Sequence, residues 1–371
     1  MRRQLLAAFA VGTAGLLALS ACGSSSGGTP SGGSSSAAAK GKVGVILPDS
    51  ASSARWETND RPFLKAAFDA AGIDSDIQNA GGDVSKFQTI ADGMISSGVK
   101  VLLIVNLDSD SGAAVVKKAT DAGIPVIDYD RLTLGGGSKY YVSFDNTAVG
   151  TAIGTGLVKC LTDDGKKPAD GGIIELNGSP TDNNATLFKA GYDKVIKDAG
   201  YNVIASQAVP DWDNTKAGTL FAQLDTKYSG KYIGVAAAND GLGGAVIARL
   251  KAQGLDTKIP VTGQDATDEG LQRVLLGTQC VTIYKAVKAE ADAASKLAIA
   301  LATGDTAAAD ALATGKTTDT KTSKDVPSVL LTPVAIYPEN VKDVVADQFT
   351  TAAKLCTTAA LKTACTKYGV S

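Results

Sequence analysis

The chain has 371 residues, 44% hydrophobic and 20% charged, with a formal net charge of −2 and a pI near 5.4. That is enough for about two domains with ample core, and too acidic for a phosphate-rich partner, so nucleic acid is excluded. There is no histidine, which removes every Ser-His-Asp or Cys-His catalytic arrangement and every imidazole metal site.

Residues 1–21 predict an export signal. Met1-Arg2-Arg3 is a short basic head, "LLAAFAVGTAGLLAL" is apolar but short for a membrane span, and "LSAC" closes with small residues before Cys22. "LSAC" resembles a bacterial lipobox, which implies cleavage before Cys22 and lipidation of its thiol. Losing Arg2 and Arg3 takes the net charge from −2 to −4. Residues 22–39 are a Gly/Ser-rich tether, spanning roughly 20 to 25 Å as a flexible coil. The folded body is expected to begin at Lys40 and to hang from the extracytoplasmic face of the cell membrane by its lipid alone.

From Lys42 onward, apolar β-branched runs alternate with amphipathic stretches. "KVGVIL" precedes a helix over Asn59 to Ala71, "VLLIVNL" precedes one over Ser111 to Ala122, and "PVIDYD" and "YYVSFD" follow. A second series runs from a helix ending at Cys160 through "GGIIELNG", a helix over Asn183 to Ala199, "NVIASQAV", "YIGVAAAN", "IPVTGQD" and "CVTIYK". Continuous apolar strands separated by helices predict an α/β protein with parallel sheets covered on both faces. "ATDAGIPVIDYD" and "LKAQGLDTKIPVTGQD" share a helix end, a glycine, an Ile-Pro-Val strand start and a closing aspartate, which predicts two similar Rossmann-like lobes. The expected division is 40–145 plus 286–324 for the first lobe and 146–285 plus 325–371 for the second. The hinge crossovers are expected near Asp145 and Lys285, with a third between Lys324 and Leu330.

Four cysteines remain beyond Cys22, and outside the cytoplasm they can pair. Of the three pairings, Cys356 with Cys365 and Cys160 with Cys280 is preferred, with free buried thiols the alternative. No CxxC occurs, and no metal site or cofactor is expected.

In open parallel sheets, ligands bind outside the carboxyl ends of the strands. Those ends carry Asp49, Arg55 and Trp56; Asp130 and Arg131; Asp182, Asn183 and Asn184; Trp212; Asn239 and Asp240; Gln264 and Asp265; and Lys285. Planar hydrogen-bonding groups beside both of the chain's tryptophans suit a sugar, whose hydroxyls donate and accept while its C–H face packs on an aromatic plane. Asp182 and Asp240 also fit helix N-caps, and for Asp240 the cap is preferred.

The segments "ARW", "YDR", "SFDN", "GSPTDNNATLFKAG", "AANDGLGGA", "GQDA", "GTQCVTIYK" and "DVPSVLLTP" run in order across nearly all of the mature chain. In them the chain resembles the periplasmic-type pentose-binding proteins of ATP-driven sugar importers, the D-xylose-binding branch in particular. The resemblance implies a type I periplasmic binding protein fold and a monomer that presents an aldopentose, D-xylose first, to a permease served by a separate ATPase. Glucose, another monosaccharide, or a sensory role through a membrane partner is the alternative. Carried over by position, the implied ligand set is Arg55, Trp56, Asp130, Arg131, Asp182, Asn184, Trp212, Asn239, Asp265 and Lys285. Two stretches depart from the pattern and are expected to bear on selectivity between xylose and glucose: "PDSASS" ahead of Arg55, and "VPDW", where proline and aspartate precede Trp212.

No enzyme is expected. "GLGGAV" lacks the third glycine of a dinucleotide fingerprint, and there is no GxxxxGK[ST] phosphate loop. Asp182 and Asp265 would make a glycosidase pair only if one kept its proton, and arginine and lysine nearby are expected to hold both ionised.

Overall fold

A computed structural model describes residues 41–371; the expected signal segment, tether and lipidated Cys22 lie outside the described residues. In chain order the strands are β1 (Val43–Leu47), β2 (Ser75–Asn79), β3 (Val101–Ile104), β4 (Val126–Tyr129), β5 (Tyr140–Phe144), β6 (Gly172–Asn177), β7 (Val203–Ala208), β8 (Tyr232–Ala237), β9 (Thr282–Tyr284), β10 (Gly315–Asp319), β11 (Lys324–Leu331) and β12 (Val334–Ile336). One sheet has the order β10-β11-β5-β4-β3-β1-β2, parallel except for the antiparallel β10–β11 hairpin. The other is the parallel set β7-β6-β8, continued by single bridges Val235–Val261 and Thr262–Val281 toward the antiparallel pair β9–β12.

Every residue of β1, β3, β4 and β5 is buried, because helices cover both faces of this sheet. Alternation along a strand then feeds two cores. Val43, Val45 and Leu47 of β1 pack with Leu64, Phe68 and the helix Val287–Ala302, while Ile46 packs with Phe87, Met94, Val115 and Val116 on the opposite side. The second sheet has its own core, built on Ile173, Ile174, Val235, Phe188 and Tyr192. Aspartates set many helix starts: Asp83, Asp108, Asp145, Asp182 and Asp213 each accept a first-turn backbone N–H.

The chain passes between the sheets three times. β5 hands over at Asp145 to the helix Asn146–Asp163, and β9 at Lys285 to the helix Val287–Ala302. The third crossing differs from expectation. Lys324–Leu331 is a strand of the first sheet, with Ser328–Leu331 paired to Tyr141–Phe144, so the chain leaves that sheet after Leu331 and not at the expected 324/325 boundary. Ladder pairing of Ser328–Leu331 with the buried β5 keeps this segment in the first sheet.

Two elements are shaped differently from the sequence reading. The helix expected from Asn59 starts as a wide π turn, Trp56–Asp60, before Arg61–Ala71, and "IPVTGQD" forms only the two bridges at Val261 and Thr262. Both expected disulfides are present, Cys160–Cys280 and Cys356–Cys365.

Candidate ligand-binding site

The ten residues expected to hold a ligand converge on one cavity between the carboxyl ends of the two sheets, with about 330 Å³ of empty space within it and at its mouth. Arg55 and Trp56 follow β1, Asp130 and Arg131 follow β4, Asp182 and Asn184 follow β6, and Trp212 follows β7. Asn239 follows β8, Asp265 the short bridge segment, and Lys285 follows β9. All ten are buried. Three of them sit in left-handed backbone, Asp130 (φ 62°), Trp212 (φ 56°) and Asp265 (φ 94°), a conformation non-glycine residues hold only where their surroundings impose it. Backbone bonds do so: Asp130 N–H donates to Val142 O at 2.8 Å and Asp265 N–H to Ile283 O at 2.9 Å.

Arg55 is a hub more than a free hand. Its Nε and one Nη grip both oxygens of Asp60 at 2.9 Å, the same Nη reaches Glu290 at 2.8 Å, and the other reaches Asp130 at 3.0 Å. Four of its five N–H groups are therefore committed, leaving one for a ligand. The π turn is what makes this geometry, since it buries Trp56 and Asp60 together beneath Arg55. The guanidinium also stacks 4.3 Å from the Trp56 ring centroid, so one face of that indole is already covered. Trp56 Nε1 donates to Ser52 Oγ at 3.2 Å.

The charges around Asp130 shift two carboxyls in opposite directions. Burial alone would raise the Asp130 carboxyl, but Lys285, Arg55 and Arg131 outweigh it and hold the group well below the usual carboxylate range. Glu290 goes the other way. Burial, then the nearby Asp130 charge, push it well above its ordinary value.

Asp182 combines the two roles the sequence left open. One oxygen caps the helix Asn183–Asp198 through Asn184 N–H, and the other accepts from Trp212 Nε1 at 3.1 Å. Asn184 Nδ2 donates to Asp130 O at 2.9 Å, and Lys285 Nζ lies 3.4 Å from both Asp130 and Asp265. The preferred cap at Asp240 is corrected. Asn239 caps the helix Asp240–Lys251, its Oδ1 accepting from Leu242 N–H at 2.9 Å. Asp240 is instead buried under the neighbouring turn, where it accepts from Thr267 N–H at 2.8 Å and Gln279 Nε2 at 2.6 Å and so braces the loop that bears Asp265.

Ser52, Ser53, Phe188 and Gln264 also line the cavity, and Gln264 Oε1 is buried without a hydrogen-bond partner. Gln264 is visible in the sequence as a strand-end amide beside Asp265. Asp60 and Glu290, which position Arg55 from below, carry no such signal, because a carboxylate in a helix reads as surface charge until the fold buries it.

Residues 43–306 match the family model described as the periplasmic binding protein domain. The chain belongs to the periplasmic binding protein family. The binding protein is 35% identical over 308 residues to the D-xylose-binding periplasmic protein of Escherichia coli (strain K12), covering 82% of this chain and 89% of that one. It is 36% identical over 337 residues to the multiple sugar-binding periplasmic receptor ChvE of Rhizobium radiobacter, covering 84% and 91%. Among solved structures, an ABC transporter solute binding protein of Clostridium phytofermentans with bound β-D-glucose superposes with a TM-score of 0.73 at 27% identity, covering 85% of this chain and 99% of that one. The fold is thus that of a type I periplasmic binding protein, and the chain is a binder rather than an enzyme.

Proposed function

We propose that the binding protein captures a monosaccharide in the cavity between its sheets, D-xylose first among aldopentoses, and delivers it to an ABC permease driven by a separate ATPase. The observation that carries this is the cavity itself: two indoles and a ring of buried Asp, Asn, Arg and Lys side chains around one space. Arg55, Trp56, Asp130, Arg131, Asp182, Asn184, Trp212, Asn239, Asp265 and Lys285 are the proposed contacts. Two relatives named as D-xylose-binding periplasmic proteins support the pentose. A second reading, glucose, is supported by two structural neighbours that hold D-glucose. The protein works outside the cytoplasm, anchored through a lipid on Cys22, as a monomer; a sensory receptor with the same site is the alternative, and finding permease and ATPase genes next to this one would favour transport.

Calorimetry with D-xylose, D-glucose, D-ribose and L-arabinose, on the chain from Lys40, tests the proposal. Sub-millimolar xylose binding with weaker glucose is the expected result, and glucose binding more tightly than xylose shifts the assignment to the second reading. Silence with all four sugars overturns the function.

A further inference from the structure

The two stretches that depart from the pentose-binding pattern meet in space. Asp49 of "PDSASS" and Asp211 of "VPDW" both line a second cavity, about 840 Å³ of empty space, immediately outside the inner one. Ser52, Arg131, Asp182 and Trp212 line both cavities and form the partition between them. Ser52 and Arg131 come from the first lobe, Asp182 and Trp212 from the second, so the partition assembles as the lobes meet.

That partition has an unfilled valence. Arg131 Nε lies 3.0 Å from Asp182 Oδ2 but its N–H is misaligned, and it is left buried with no hydrogen-bond acceptor. Arg131 itself is 7% exposed. A buried donor short of an aligned acceptor is unfavourable, and an oxygen placed between the cavities would supply the missing bond. The bridging oxygen of a glycoside accepts and cannot donate, which matches a lone N–H.

The outer cavity also suits one chemical class. Asp49 and Asp108 spend part of their acceptor capacity on local turns, on Ser52 N–H at 2.6 Å and Ser111 N–H at 2.8 Å, and keep lone pairs for hydroxyls. Thr181 adds a hydroxyl, and Val84, 41% exposed, adds an apolar patch for a C–H face. With four aspartates against Arg131, sugar acids and phosphorylated sugars are repelled.

We propose that the outer cavity is a subsite for a second sugar unit, so that the binding protein takes a neutral glycoside or disaccharide with its terminal ring inside and the linkage at Arg131. This rests on the inner cavity holding a sugar. The test is calorimetry on the chain from Lys40 with D-xylose and D-glucose, their methyl β-glycosides, xylobiose and cellobiose, repeated with Val84→Trp, which narrows the outer cavity from a position that does not line the inner one. Expected is a disaccharide bound within about ten-fold of its monosaccharide, and a loss of about ten-fold or more in Val84→Trp for the disaccharide alone. Binding of a monosaccharide with no binding of any glycoside overturns the second subsite and leaves the proposed function standing, as does a Val84→Trp loss equal for both sizes. Silence with every sugar removes both.

Discussion

Glu290 shows how a residue remote from any ligand can set the character of the site. It is fully buried against Arg55, near Asp130, at the first turn of the helix Val287–Ala302. Asp130 is held below its ordinary carboxylate range and Glu290 is pushed above its own, so of the two carboxyls Glu290 gives up its proton less readily. Because the native pKa of Glu290 lies above its unfolded value, it contributes stability that is fully present below about pH 4 and is lost as pH rises through the native value. Glu290→Gln imitates the protonated acid. It is expected to keep sugar affinity within about three-fold at pH 7 and to lessen the fall of melting temperature with rising pH. Binding abolished in Glu290→Gln, with the fold intact by circular dichroism, would mean that the ionised carboxylate is required.

At the level of elements, the site depends on how closely β6 and the loop after β7 approach. Gly178 follows β6 directly beneath Trp212, where a methyl group would overlap the benzo ring of the indole. The ring is pinned elsewhere as well, by its bond to Asp182 and by an edge contact with Phe188 at 6.3 Å. Gly178→Ala therefore has no room to act except by tilting Trp212 into the cavity. A loss of at least about ten-fold in sugar affinity is expected, with a destabilisation of about 1–3 kcal/mol from overpacking. Unchanged affinity in that variant would show that Trp212 does not shape the ligand. Elements also mark the limit of legibility. The buried strands and capped helices are plain in apolar runs and aspartates. β2, "SDIQN", is not, because an edge strand with one apolar residue has no pattern to read. The π turn at Trp56 was equally hidden, since one residue's difference in hydrogen-bond spacing leaves composition unchanged.

The whole molecule explains why the ten proposed positions could be read as strand-end groups lining one cavity while their partners could not. Any doubly wound lobe puts its functional groups at strand ends, so the list follows from topology. Which groups face a ligand and which face each other follows from how the lobes meet. Across that meeting Asn184 reaches Asp130 at 2.9 Å and Arg131 lies 3.0 Å from Asp182. These contacts use donors that a sequence reading assigns to the ligand, as the commitment of Arg55 to Asp60, Glu290 and Asp130 also does. Enclosure has a physical purpose here, because each sugar hydroxyl taken from water without a partner costs roughly 1–3 kcal/mol.

Both tryptophans of the chain line the proposed site, so its intrinsic tryptophan emission reports on that cavity and on nothing else. Titration with D-xylose is predicted to give a saturable change in that emission at sub-millimolar sugar, lost in Asp130→Asn. An emission spectrum left unaltered by D-xylose, D-glucose, D-ribose and L-arabinose alike would contradict the account.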